Sequence, residues 1–121
     1  MKKVIFVGVT DEYQKEILSR GFARIEFLFF DFEDAQKALD EAIAKKYPIV
    51  LRYKTVPSNK VAIEDWLHYL HDKLPKKSIA ILHQATQSDE GKLFLKELND
   101  QGYSCLDMKE RKQLMEFFEK M

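Results

Sequence analysis

Apolar residues gather in five short runs along the chain, and each run is followed by a stretch in which they recur at three- and four-residue spacing. The first run, Val4 to Val9, is β-branched and almost uncharged, which suits a strand covered on both faces rather than one half exposed. Asp11-Glu12-Tyr13-Gln14 then places a capping aspartate three residues before a glutamine, and Gly21 supplies a left-handed stop. A helix is expected between them, with Tyr13, Ile17 and Leu18 on one face. Ile25 to Phe30 is a second candidate for a buried strand. After Asp31, Ala35, Ala38, Leu39, Ala42 and Ile43 recur at helical spacing, and Pro48 is expected to close that helix because proline disfavours helix in the residue before it. Ile49-Val50-Leu51 opens a third strand. Pro57, Ser58 and Asn59 form a turn whose polar side chains are expected to cap a third helix, with Ile63, Trp66, Leu67, Leu70 and Leu74 facing inward and Pro75 ending it. Ile79 to Leu82 reads as the fourth strand, and Ser88 caps a helix carrying Phe94, Leu95 and Leu98 that Gly102 stops. Tyr103 to Met108 makes the fifth strand. Asp107 and Glu110 have capping-box spacing for a final helix, with Leu114, Met115, Phe118 and Met121 inward.

Strands alternating with helices over short connections imply right-handed crossovers and a parallel sheet covered on both faces. The expectation is an α/β, (βα)5 doubly wound five-stranded sheet of flavodoxin-like type with strand order 2-1-3-4-5, since five units are too few for an eight-stranded barrel. At 121 residues it fits one domain spanning 1–121.

Charge narrows the range of partners. Twenty basic residues balance twenty acidic ones, so there is no global field to attract a polyanion, and nucleic acid is not expected. No apolar run approaches the roughly 20 residues that cross a bilayer, so no membrane partner is expected. The start lacks the apolar h-region of a signal peptide, which gives a cytoplasmic expectation. Cys105 is the only cysteine and lies in an apolar run, where a free thiol behaves as a small hydrophobe.

In doubly wound sheets ligands collect beyond the carboxyl ends of the strands, where the winding reverses between strands one and three. Those ends supply Gly8 to Asp11, Arg52 to Thr55, His83 to Thr86 and Asp107 to Lys109, a rim of mixed charge. Gly8-Val9-Thr10-Asp11 lacks the repeated glycines of a dinucleotide fingerprint, and there is no Walker-type loop. Thr10 offers a phosphate cradle for a flavin mononucleotide or, more plainly, a helix cap. His68 and His71 are not at the i, i+4 spacing of a metal pair, and His83 is a lone histidine at a strand end. No metal site and no cofactor are expected. An enzyme would need His83, Asp107 and Lys109 to converge on a pocket.

Several landmarks together resemble a response-regulator receiver domain, the phosphoacceptor module of two-component signalling. They are Leu18, Gly21 and Phe22; Asp34-Ala35 with Ala38-Leu39; Tyr47 to Leu51 followed by Pro57; and Gly102, Tyr103 and Lys109. The resemblance implies an acceptor aspartate four residues before Pro57, but Tyr53 stands there. It implies a magnesium-binding acidic pair after strand one, but Gly8 and Val9 stand there, with Asp11 and Glu12 in the next turn. The threonine or serine it places after strand four aligns with His83 or, after a local shift, with Thr86. Lys109 is kept but is followed by Glu110 rather than proline, so no cis peptide is expected there. Aspartyl phosphorylation needs both a carboxylate nucleophile and a metal. The resemblance therefore implies a degenerate pseudo-receiver that signals through a protein partner or homodimer. It places the contact on the face of helix four, strand five and helix five, among Lys92, Lys96, Asp107, Arg111 and Lys112, which are equally readable as solvated charges. A flavodoxin-like protein that binds a small molecule or nucleotide is the alternative.

Overall fold

The computed structural model describes residues 2–84 and 88–120. The chain runs β1 (Lys2–Val7), α1 (Glu12–Ser19), β2 (Ile25–Phe30), α2 (Ala35–Lys45), β3 (Ile49–Arg52), α3 (Lys60–Leu70), β4 (Ile79–His83), α4 (Asp89–Asp100), β5 (Ser104–Asp107) and α5 (Arg111–Glu119). Short 3-10 turns at Phe32–Asp34 and Lys76–Ser78 lead into α2 and β4. All strand pairs are parallel and their order is β2-β1-β3-β4-β5, the doubly wound, flavodoxin-like arrangement expected from the pattern.

Alternation along the strands divides the core into two layers, because successive side chains point to opposite faces. Ile5, Val7, Ile49, Leu51, Ile79 and Ile81 meet α2, α3 and α4 through Leu39, Ile63, Leu67 and Phe94. Val4, Phe6, Val50, Ala80 and Leu82 meet α1 and α5 through Leu18, Leu114, Phe117 and Phe118. The second layer is aromatic: the fully buried Phe118 has its ring centroid 5.1 Å from that of Phe22 and 5.2 Å from that of Phe27.

Asp11 and Ser88 act as the sequence suggests, their side chains accepting hydrogen bonds from the backbone N–H of Gln14 and Gly91 at 3.0 and 3.2 Å. Other boundaries differ for local reasons. The run Ile25 to Phe30 is only half buried, because β2 is an edge strand. α2 ends at Lys45, ahead of Pro48, and Lys46 caps it in the left-handed conformation (φ 58°). α3 ends at Leu70, ahead of Pro75. Asn59 gives no side-chain cap to α3, and Ser58 Oγ instead accepts from Lys60 N at 3.3 Å. α5 starts after Glu110, since the Asp107 carboxylate is taken up by the N–H of Lys109 at 2.9 Å. Phe117 takes the inward place expected of Met115, which is 41% exposed, and Met121 lies outside the described residues. Tyr13 is likewise exposed rather than inward. Among the described residues, no helix is long and apolar enough to cross a membrane.

Candidate functional site

The carboxyl ends of β1 and β3 lie side by side at the reversal of winding, where a crevice is expected in this topology. Gly8 leaves β1 with φ 95°, and its N–H donates to Phe30 O at 2.9 Å. A Cβ added at Gly8 would come within 2.5 Å of the Phe32 ring, so the ring rests directly on bare backbone. Phe32 in turn stacks on Trp66 (centroids 5.9 Å apart, planes at 20°), and Lys54 Nζ lies 5.2 Å from its ring centre. Val9 is buried. The acids of the next turn serve the helix: Asp11 caps α1, and Glu12 faces Lys15 at 3.3 Å. Tyr53 is 3% exposed, its N–H donating to Leu82 O at 2.8 Å and its ring centred 5.1 Å from that of Phe94. An aromatic and cationic layer thus closes the ends of β1 and β3.

Arg52 is the unusual member of this layer. It is only 5% exposed, although it carries a guanidinium. Its Nη1 donates to the carbonyls of Tyr53 and Leu82, the latter at 3.4 Å, and its Nε is buried with no hydrogen-bond partner. Burial lowers its pKa below the ordinary arginine value. The loop after it is held by Asn59, whose Oδ1 accepts from Lys54 N at 2.8 Å and whose Nδ2 donates to Arg52 O at 2.6 Å. The Val56–Pro57 peptide in this loop is cis. A cavity of about 340 Å³ opens here, lined among the described residues by Arg52, Tyr53, Lys54, Thr55, Val56 and Gln84.

The other half of the rim is wetter. His83 is half buried, its Nδ1 lying 3.2 Å from Gln84 O, and Lys109 is exposed. Asp107 spends its carboxylate on the turn. Thr86 lies outside the described residues. No hydrogen bond or ion pair joins the side chains of His83, Asp107 and Lys109 among the described residues. Nor, among the described residues, does any group of three or more His, Cys, Asp or Glu stand where it could share a metal ion.

On α4 and α5, Lys92, Lys96 and Lys112 are exposed. Arg111 turns away from them: its Nη1 donates to Ile17 O at 2.8 Å and its guanidinium lies 4.7 Å from the Phe22 ring centre, pinning α5 to α1. Cys105 donates its thiol to Leu95 O at 3.4 Å, and burial pushes its pKa up to about 11. At neutral pH it is an unreactive thiol.

Sequence reasoning placed Arg52 on a hydrogen-bonding rim and overlooked its burial, and it gave Phe32 no role. The available signal was an arginine ending an otherwise apolar run, Ile49 to Leu51. Comparison with family models, with curated proteins and with solved structures gave no match.

Proposed function

We propose that the chain is a receiver-like regulatory module that is not phosphorylated and that acts by binding another protein or a second copy of itself. The observation that supports this reading most is Tyr53. The phenol occupies the place where the resemblance implies an acceptor carboxylate, and it is packed as core against Phe94. Aspartyl phosphorylation there would need a carboxylate nucleophile and a cation to neutralise the phosphoryl oxygens. Gly8 and Val9, beside it, offer neither acid nor metal ligand. Fold alone does not fix function, so the surface has to carry it.

The surface that best fits a contact is α4 with α5. Leu93 is 58% exposed on α4, with Lys96 three residues on at a neighbouring helical position and Lys92 next to it in sequence. On α5, Lys112 is exposed beside Met115 at i+3. Around Leu93 the helical neighbours are Lys96 at i+3 and the acids Asp89, Glu90 and Glu97 at i−4, i−3 and i+4, so the exposed apolar side chains sit in a ring of mixed charge that suits a mixed-charge partner surface with an apolar centre, a second copy of the chain included.

The test has two parts. After incubation with acetyl phosphate and magnesium, the intact mass of the protein is expected to stay unchanged; an adduct on an aspartate would sink the reading. Sedimentation and chemical cross-linking then compare wild type with Lys96→Glu/Lys112→Glu. Association lost in the variant, with the fold retained by circular dichroism, supports the α4–α5 face. Association that persists unaltered removes it.

A further inference from the structure

Arginine cannot escape burial as lysine or histidine can. Those side chains shed a proton when desolvated, whereas the guanidinium stays charged throughout the range in which proteins fold. A buried arginine is therefore normally matched by a carboxylate or another anion. Arg52 is buried and is matched only by two backbone carbonyls, Tyr53 O and Leu82 O, whose dipoles satisfy one nitrogen while Nε has no partner. No ion pair involves it among the described residues, and the undescribed Ala85, Thr86 and Gln87 contain no acid.

The surroundings add further donors and no negative charge. Lys54, Thr55 and Gln84 line the same cavity, and no described lining residue is acidic. Lys54 is in no ion pair among the described residues, and its Nζ lies 5.2 Å from the centre of the Phe32 ring, a contact that leaves N–H donors of the ammonium available. The backbone that carries Lys54 and Thr55 is tied to Asn59 by its carboxamide, so that stretch of chain is held in place before any ligand arrives. The cavity, at about 340 Å³, is larger than a bare anion requires and falls at the small end of the range for organic ligands. Tyr53 and Val56 give it an apolar wall.

We infer that the cavity at the end of β3 is a binding site for an oxyanion of phosphate type, held without metal by Arg52 and Lys54 with Thr55 and Gln84. A tetrahedral phosphate, with several oxygens to share, uses a guanidinium fork, an ammonium, a hydroxyl and an amide together more fully than a carboxylate does. The source is either free phosphate or a small phosphate monoester whose organic part lies on Tyr53 and Val56. The site involves no covalent step. It is separate from the contact face proposed above, so each can fail without the other.

The experiment is a calorimetric titration of the full chain in chloride buffer at constant ionic strength with inorganic phosphate, phenyl phosphate and acetate, with thermal melts alongside. Saturable binding of either phosphate, with acetate weaker, is expected. Phenyl phosphate binding more tightly than phosphate assigns a monoester, and equal affinities assign the free ion. Lys54→Met removes a half-buried loop cation without touching the strands and is expected to weaken phosphate binding about 10- to 100-fold. Arg52→Met separates a site from a structural clamp. With an anion site, its melting temperature in chloride holds or rises, because an unmatched buried charge has been replaced by an apolar chain of similar length, and stabilisation by phosphate disappears. The inference is overturned if no probe binds saturably, if Lys54→Met binds as wild type does, or if Arg52→Met keeps its phosphate response.

Discussion

The two halves of the carboxyl rim are built on different terms. Around β1 and β3 the residues that end the strands are packed as core: Gly8, Val9, Arg52 and Tyr53 are all buried, and the Phe32 ring rests against the backbone of Gly8. Around β4 and β5 Met108 is buried, but its polar neighbours meet water. His83 and Asp107 are half exposed, and Lys109 is exposed. One sheet therefore ends in a sealed aromatic layer on one side and in an open surface on the other. Chemistry that needs nucleophile, metal ligand and cation to converge on one reacting atom must draw on both halves. Here the first half has closed over, and what it keeps at its margin is a positive pocket rather than an acidic one.

The largest effect separating the halves is expected at Gly8. Any side chain there meets φ 95° and the Phe32 ring at once. Gly8→Ala should cost about 3 kcal/mol of unfolding free energy, of which about 1–2 is left-handed strain and the rest is displacement of the ring. Gly8→Asp should cost at least as much. Urea denaturation of Gly8→Ala, Phe32→Ala and the double variant measures the split, since the double variant should be more stable than the sum of the single losses predicts. Strict additivity would mean that Phe32 does not seal this end.

Why some of this was legible from the sequence and some was not follows from where each signal lives. The β-branched runs, the caps at Asp11 and Ser88 and the helical periods are local, and they led to the sheet and its strand order. Burial is not local. Ile25 to Phe30 reads as a buried strand because an apolar run looks the same at an edge, and its edge place in the order β2-β1-β3-β4-β5 leaves it half exposed. Arg52 follows the same rule in reverse: its burial depends on Leu82 O, thirty residues away, and on the Asn59-clamped loop. Arg111 looked like a free surface charge because Ile17 O and Phe22 are ninety residues distant in sequence. The absence of an acid at Gly8, Val9 and Tyr53 was visible at once, whereas the aromatic layer that fills their place required Phe32, Trp66 and Phe94 to be brought together.

A smaller loss is expected at Tyr53. Tyr53→Asp removes the ring packed on Phe94 and places a carboxylate in the same buried volume, which should destabilise the protein by about 2–3 kcal/mol, tempered if the new acid pairs with Arg52. Denaturation gives the stability, and intact mass after acetyl phosphate and magnesium gives the chemistry. No adduct is expected, because one nucleophile does not supply the metal. Magnesium-dependent labelling of this single variant would place Asp11 or Glu12 within reach of the site and reopen the first half of the rim.

The smallest effects belong to the open half, and they decide whether it is open at all. The His83 ring has a backbone oxygen at 3.2 Å as its neighbour, and the Lys109 side chain projects from the surface, so His83→Ala and Lys109→Ala should each change stability by no more than about 0.5 kcal/mol. Lys109 contributes its backbone N–H to Asp107, and alanine keeps that group. Asp107→Ala, by contrast, deletes the acceptor that holds the turn into α5 and should cost about 1 kcal/mol. A double-variant cycle between His83 and Lys109 then tests convergence directly. Side chains that do not meet should add within about 0.3–0.5 kcal/mol. A coupling of about 1 kcal/mol or more would put the imidazole and the ammonium in one pocket with Asp107 between them. The two halves of the rim would then no longer differ in the way argued above, and an enzyme built on those three residues would replace the binding module as the reading of this end of the sheet.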